Sequence, residues 1–340
     1  MPKVILAQIA ILLLLLFGLL KNGTTKRLSF PLLALPILII FSLSLAHLLL
    51  LSTPTTFFGN PVRMQGIFLL WHLLVLGLIS SKIKFQPKAW LPFSAVLLLL
   101  LLALLNFNEN GRAVGSLGEP NALAAVAIFL WPFLYFVQKS KTTFIKLISG
   151  LIAMILIILL SESESSLVAL GFQSLFILLI SFFRLSIFKS IFAVLVFIVL
   201  SLYLPFAVKP EEWNENRVEI WHAAARAGQL SPIYGHGFGN IEEALPKGSH
   251  EIEKNNVRFQ YVDSSHNIFL DWWVQAGAVG ILLLLFLIGK TIWDFAKQNK
   301  VLQLTCLMGL LAVMSFNPVS VVTLVAFWFL IGQGSSIKQA

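Results

Sequence analysis

The residues around His266 have the types and the order that acid–base chemistry on a hydroxyl requires. His266 follows Asp263-Ser264-Ser265 and stands at the start of a long apolar run. Ser264 or Ser265 is predicted to cap the helix that begins there, so that His266 lies in its first turn. The helix N-terminus favours neutral imidazole, and Asp263 favours its charged form. Such a histidine can act as a general base; the alternative is an interfacial histidine hydrogen-bonded to the backbone.

Arg217 lies on a second predicted helix, which suits anion binding. Residues 216–219 have the spacing of a capping box, and the helix is predicted to run to about Gly228. Arg217 and Trp221 are one turn apart on the same face, a pairing that suits an anionic or sugar-bearing headgroup. The alternative is an amphipathic helix that lies on the bilayer, with Trp221 as its interfacial anchor.

Two glycine-containing segments are candidates for the same site. Gly235 and Gly237, with a third glycine two residues later, predict a turn whose backbone N–H groups approach phosphate oxygens. Three glycines in a loop are also typical of an ordinary turn. Residues 106–121 predict a tight loop that contains Arg112 and ends at Asn121, which is predicted to cap the next helix. The alternative for this loop is a connection and a cap without a binding role.

No metal site is predicted. His236, His250 and His266 are the candidate ligands, but their spacings match no compact ligand pattern. Cys306 is the only cysteine and lies inside an apolar run, which excludes an intrachain disulfide and a cysteine metal site.

These candidates are embedded in a chain with the composition of a membrane protein. Hydrophobic residues make up 58% and charged residues 11% of the sequence, and the mean hydropathy is +0.89. That leaves too little polar surface to cover a soluble domain. We predict an all-α polytopic membrane protein in which residues 1–340 form a single membrane domain. The net charge of +9 does not indicate nucleic-acid binding, because the basic residues stand in small groups between apolar runs.

Eleven membrane spans are predicted from apolar runs of about twenty residues, the length that crosses the hydrocarbon. They lie near residues 4–20, 31–52, 66–80, 90–106, 121–138, 144–160, 166–183, 187–208, 266–289, 301–314 and 316–331. The first run lacks a cleavage site and is expected to be retained as a span.

The charges of the connecting loops predict the orientation. Fifteen of the 24 basic residues fall in alternate loops, whereas fourteen of the 15 acids fall on the opposite side. The positive-inside rule therefore puts the C-terminus in the cytoplasm, the N-terminus outside, and the large loop, residues 209–264, on the extracytoplasmic side.

The combination of motifs resembles the O-antigen ligase and polymerase superfamily. In chain order the motifs are Gly-Ser-Leu-Gly-Glu-Pro-Asn-Ala at 115–122, Arg217-x-x-x-Trp221, Gly235-x-Gly237-x-Gly239, His266-Asn267-x-x-Leu270 and Gly277-x-x-Gly280. Their order, spacing and predicted side of the membrane fit the family over residues 106–289. The flanking spans match only as hydrophobic helices.

The resemblance implies a metal-independent glycosyltransferase of GT-C-like fold in the bacterial cytoplasmic membrane. Family members transfer a glycan from an undecaprenyl pyrophosphate carrier to a glycan, lipid or protein acceptor at the outer face. By resemblance, Arg217 holds the pyrophosphate and His266 activates the acceptor hydroxyl, with Asn267, Trp221 and Arg112 as supports. No cofactor is implied, because pyrophosphate is already a good leaving group that the protein need only position and neutralise.

Two features depart from the family pattern. Glu164 stands where the family usually has an arginine, and a carboxylate there repels phosphate. Arg112 or Arg258 is a candidate substitute for that arginine. The second departure is one predicted span fewer than the family's usual dozen, the missing one lying before residue 115.

Two other function classes stay open at this stage. A transporter or flippase requires ionisable residues along a path through the spans, and only His47 and His72 at depth and Asp271 near an end qualify. A relative that binds lipid-linked glycan without turnover is favoured by Glu164. The sequence does not distinguish a ligase from a polymerase.

Overall fold

The computed structural model describes residues 2–21, 34–51, 53–83, 90–136, 142–192, 217–248 and 262–335, and it confirms the all-α class for them. The helices are α1 (Pro2–Lys21), α2 (Ala34–Leu51), α3 (Pro54–Phe58), α4 (Ile67–Ser80), α5 (Trp90–Leu105), α6 (Pro120–Phe136), α7 (Thr142–Leu160), α8 (Glu164–Ser181), α9 (Arg217–Leu230), α10 (Ile241–Ala244), α11 (Ile268–Lys297), α12 (Val301–Phe316) and α13 (Val321–Gly334). A 3₁₀-helix, Leu245–Gly248, follows α10. The described residues contain no strand, only an isolated bridge between Phe107 and Ala113.

Ten of the predicted spans coincide with apolar helices of the described residues. Three of them, α2, α8 and α11, are long and apolar enough to cross a bilayer, and the apolar stretches described in the other seven are 10–17 residues long. The eighth predicted span, 187–208, lies mostly outside the described residues. The total of eleven spans therefore stays a prediction.

The last helix begins five residues later than predicted. The connection runs from Asn317 to Ser320, and α13 starts at Val321. Pro318 has no N–H to continue a helix. Ser320 instead forms a capping box, in which its hydroxyl accepts from Thr323 N at 3.2 Å and Thr323 Oγ1 accepts from Ser320 N at 3.0 Å.

The chain forms two compact units. Unit 1 contains α1–α4, α9, α10, α11 up to Asp294, and α13, and unit 2 contains α5–α8, the end of α11 and α12. Within unit 1, α4 and α13 approach closely at Gly77 and Gly332. A side chain at Gly332 would not fit, because its Cβ would lie 2.1 Å from the carbonyl oxygen of Gly77. Within unit 2, the buried Gln173 of α8 accepts from Trp131 Nε1 of α6 and donates to the Thr305 carbonyl of α12, at 2.6 and 2.9 Å.

Helix α11 is interrupted at Gly277, and a turn of the large loop fills the interruption. Gly277 has φ 59° and ψ −158°. Backbone groups on either side of it bond to the loop and not along the helix. The four bonds, donor first, are His236 N to Val274 O (2.8 Å), Gly237 N to Gln275 O (2.9 Å), Ala278 N to Pro232 O (2.8 Å) and Val279 N to Ile233 O (3.2 Å). The loop thus satisfies the polar groups that the break exposes, as a membrane helix requires.

Gly277→Ala is expected to destabilise the protein by about 2 kcal/mol, because this backbone conformation is essentially confined to glycine. The added Cβ would also lie 2.5 Å from the Ile233 carbonyl. Thermal unfolding in detergent measures the effect. Gly289→Ala is the matched control on the same helix, since nothing lies within 4 Å of that Cβ. Equal melting temperatures for the two variants would contradict the assigned role of the break.

Candidate active site

His266 is held in a strained backbone conformation just before α11. Its φ is +58°, in the left-handed region that residues other than glycine rarely adopt. Its side chain is half-buried. The prediction that His266 lies in the first helical turn is wrong, because α11 begins only at Ile268. Strain of this kind persists where surrounding contacts over-determine it, and it is concentrated at functional sites.

Asn267 caps α11, and the predicted cap at Ser264 or Ser265 is therefore also wrong. The Asn267 side-chain oxygen accepts from the N–H groups of Phe269 and Leu270 at 2.9 and 3.2 Å. Only the amide NH₂ group of Asn267 thus remains to serve a substrate as a donor.

Asp271, in the first turn of α11, holds the two serines that precede His266. Its Oδ1 accepts from Ser265 N at 2.8 Å and from Ser265 Oγ at 2.6 Å, and its Oδ2 accepts from Ser264 Oγ at 3.0 Å. Both serines and the carboxylate are buried. The serine hydroxyls donate to Asp271, which explains why the cap is Asn267. Asp271 thus fixes the backbone that presents His266.

Arg63 holds the other end of this turn. Its Nε and Nη2 donate to the two carboxylate oxygens of Asp263 at 2.6 and 3.1 Å, and both side chains are mostly buried. A two-point guanidinium–carboxylate pair restricts orientation as well as distance. Asp263, predicted from the sequence to influence His266, therefore has a cationic partner 200 positions away that the sequence did not identify.

Helix α9 carries Arg217 and Trp221 and packs on the same end of α11. The helix is confirmed, and it ends at Leu230, two residues beyond the predicted end. Gly228 lies inside the helix, where packing requires a glycine, because a Cβ there would lie 1.9 Å from the indole nitrogen of Trp273. That indole N–H donates to the Ala225 carbonyl at 3.1 Å. Trp221 is half-buried. The Arg217 side chain and the proposed capping residue at 216 lie outside what the structure describes.

The turn at Gly235 and Gly237 packs against α11, and the backbone N–H groups that were predicted to approach phosphate donate to protein acceptors. The N–H groups of Gly235, Gly237 and Gly239 donate to the Ser231 carbonyl, the Gln275 carbonyl and the Gln275 side chain. All three glycines have positive φ, and a Cβ on Gly235 would lie 2.4 Å from the backbone of α11. The Gly237 donor is therefore used at the break in that helix, and the other two donors also have protein acceptors.

Arg112 and Asn121, which lie in the same predicted loop, contact each other within unit 2. Arg112 Nη2 donates to Asn121 Oδ1 at 3.4 Å, and the guanidinium also donates to the carbonyls of Ser161 and Glu162 at 2.9 and 3.1 Å. Arg112 thus connects its loop to the turn between α7 and α8. Asn121 is the second residue of α6 and not its cap, because Pro120 occupies the first helical position, which proline favours.

Glu164, the departure from the family pattern, is the first residue of α8 and is exposed. The acid that approaches Arg112 is Glu162, two residues before Glu164. Its Oε2 lies 3.9 Å from Arg112 Nε, and its side chain is largely solvent-exposed. An ion pair of that length and exposure contributes little. Arg258, the other candidate substitute for the family arginine, lies outside the described residues.

A cavity of about 70 Å³ lies behind the His266 turn within unit 1. Its lining brings Asp271 and Gln275 of α11 together with Gln65, Trp272 and Trp328. Polar groups therefore converge under the turn. Among the described residues no three His, Cys, Asp or Glu side chains are arranged to hold a metal ion. His250 lies outside them, so a metal-independent site stays a prediction.

Sequence reasoning missed Arg63 and Asp271 as parts of this site. One usable signal existed for each. A carboxylate within an apolar run is costly and marks function or structure, and Asp271 stood in such a run. Arg63 was one of only two basic residues in the short loops on the acidic side of the membrane. Neither signal identified a partner.

Comparison with known proteins gives one family and two relatives. Residues 149–285 match the family model described as O-antigen ligase. The ComP-specific O-oligosaccharyltransferase of Acinetobacter baylyi is 25% identical over 273 residues, which cover 73% of this chain and 47% of that protein. An uncharacterised protein of Haemophilus influenzae is 30% identical over 105 residues, 29% of this chain and 26% of that protein. The chain thus matches about half or less of the length of these relatives.

Proposed function

We propose that this chain is a glycosyltransferase of the O-antigen ligase superfamily that uses a lipid-linked glycan. The family model that matches residues 149–285 and the similarity to an O-oligosaccharyltransferase support the proposal. It moves the glycan from an undecaprenyl pyrophosphate carrier to an acceptor hydroxyl, or onto a growing polysaccharide, at the outer face of the bacterial cytoplasmic membrane. The observation that carries the proposal is the strained backbone of His266 just before a membrane helix. Arg63 and Asp271 hold the residues that precede His266.

His266 is the general base. It removes the proton of the acceptor hydroxyl while the oxygen attacks the anomeric carbon of the carrier-linked sugar. The bond between that carbon and the pyrophosphate oxygen breaks, and the electron pair leaves with the pyrophosphate. Proton removal by a positioned side chain contributes about 10²- to 10⁴-fold to such a step. The rigid turn supports this role because a general base acts only from a fixed position close to the proton.

Arg217 neutralises the pyrophosphate, and Trp221 packs one helical turn away on α9. The support for this assignment is that α9 contacts Trp273 of α11, two residues from the Asp271 that anchors the His266 turn. A guanidinium suits the leaving group because it remains charged and donates along two directions at once. The amide group of Asn267 is a further donor to the substrate.

Arg112 and Asn121 form a second polar contact for the glycan or the carrier. Arg112 already donates to protein acceptors, so its role is to hold the shape of its loop. Its positive charge also attracts the anionic substrate. Exposed Glu164 favours one alternative function, the binding of lipid-linked glycan without turnover, because a carboxylate repels the pyrophosphate.

The purified protein in liposomes that contain a lipid pyrophosphate glycan is expected to release the carrier pyrophosphate only when acceptor is added. Product is measured as glycosylated acceptor and as freed carrier in equal amounts. Release that ignores the acceptor would contradict transfer. Tight binding of the donor without any product would favour the non-catalytic alternative, and passage of the intact donor across the bilayer would favour a flippase.

A further inference from the structure

Three large apolar side chains project from the turn that fills the break in α11. Leu230, Ile233 and Tyr234, which we call the tip, are between 57% and 62% exposed. Leu230 is the last residue of α9, and Ile233 and Tyr234 lie between it and the glycines that pack on α11. Exposed apolar side chains that are contiguous in this way mark a contact surface.

Backbone hydrogen bonds fix the tip to one level of α11. The carbonyls of Pro232 and Ile233 accept from Ala278 and Val279, and Gly235 N donates to Ser231 O at 2.9 Å. Ser231 Oγ donates in turn to the Gly235 carbonyl at 2.7 Å. These bonds satisfy polar groups of the turn internally, which is the condition for backbone that contacts hydrocarbon.

The length of α11 sets the depth of this level in the bilayer. The helix ends at Lys297, and Lys290 and Asp294 form an ion pair near that end. If Lys297 marks the inner boundary of the hydrocarbon, Ala278 lies roughly 30 Å above it, at the outer boundary. If Lys290 marks the inner boundary, Ala278 lies roughly 18 Å above it, within the acyl chains. Both limits put the tip at or below the outer boundary.

Exposed apolar side chains also lie along α11 beyond the level of the tip. Leu282 lies one turn beyond Ala278 on the same face, and Leu285 and Phe286 continue this stripe of exposed apolar side chains. Tyr234 adds a phenol, a group that is enriched where acyl chains meet headgroups.

We propose that the tip enters the outer leaflet and contacts lipid acyl chains, so that residues 231–239 form a re-entrant element of the membrane domain. The insertion holds the end of α9 at the level of the headgroups. The predicted extracytoplasmic loop 209–264 is therefore not wholly outside the bilayer. This inference does not depend on the proposed transferase activity.

Spin labels on single cysteines test the proposal. Cys306→Ser gives a cysteine-free background and keeps a donor for the Phe129 carbonyl. Nitroxides are attached at Ile233→Cys and, as a second tip position, at Tyr234→Cys. Leu282→Cys is the lipid-exposed reference, and Lys247→Cys is the matched exposed position on the polar part of the same loop.

Each labelled protein is reconstituted into phosphatidylcholine–phosphatidylglycerol vesicles, and collision rates with oxygen and with a water-soluble nickel chelate are compared. We expect the ratio of oxygen to nickel collisions at both tip positions to approach that at Leu282 and to exceed that at Lys247 at least tenfold. A ratio equal to that at Lys247 would overturn the proposal, because the tip would lie in water. Low collision rates with both reagents would also overturn it, because a protein surface would then cover the tip.

Discussion

His266→Ala is expected to lower the rate of glycan transfer by about 10²- to 10⁴-fold, the contribution of a positioned general base. The loss is expected in the rate of the chemical step, with donor binding unchanged, because the proposed ligand of the pyrophosphate is Arg217 and not His266. Carrier release in liposomes under single-turnover conditions measures the chemical step. His222→Ala is the matched control, since His222 is an exposed histidine of α9.

His266→Gly separates catalysis from folding. Glycine adopts a φ of +58° without strain, so this variant is expected to be at least as stable as the original protein. Its transfer rate is nevertheless expected to fall as far as that of His266→Ala. If either variant retained full activity, His266 would not be the base. If His266→Gly restored the activity lost in His266→Ala, the role of residue 266 would be conformational.

Asp271→Ala is expected to lower kcat by about 10- to 100-fold through the position of His266. A displacement of about 1 Å can reduce a rate 10²-fold. The substitution leaves the buried Ser265 N–H without its acceptor, at a cost of about 1–3 kcal/mol, and it releases both serine hydroxyls. Because the substitution leaves the proposed donor ligands on α9 unchanged, KM for the donor is expected to change less than kcat.

Asp271→Asn provides the rescue that identifies a positioning role. An asparagine oxygen can still accept from Ser265 N, and its NH₂ group can donate to Ser264 Oγ. We expect this variant to recover most of the activity. Asp294→Ala is the control on the same helix, because Asp294 pairs with Lys290 at the far end. Equal activity of Asp271→Ala and the original protein would refute the positioning role, as would equal inactivation by alanine and asparagine.

Local sequence patterns were sufficient to predict the helices and the resemblance to the family. Apolar runs predicted the positions of ten described helices, since the length that spans hydrocarbon is set by the rise of one residue. The motif Gly277-x-x-Gly280 was recognised from spacing alone, but nothing local indicated that Gly277 breaks α11. Position 277 requires glycine because of a turn some forty positions earlier. The Ile233 carbonyl of that turn approaches Gly277 too closely for a side chain.

The sequence by itself determined that this is a helical membrane protein that resembles the O-antigen ligase superfamily, and it singled out His266 and Arg217, because hydropathy and motif spacing are local properties. Only the tertiary structure decided how His266 is held. Ser264 and Ser265 had the residue type of helix caps, yet their hydroxyls donate to Asp271, and Asn267 caps the helix instead. Arg63 reaches Asp263 across 200 positions. Competition among hydrogen-bond partners is resolved only when the chain brings all of them together, so no local pattern reveals its outcome.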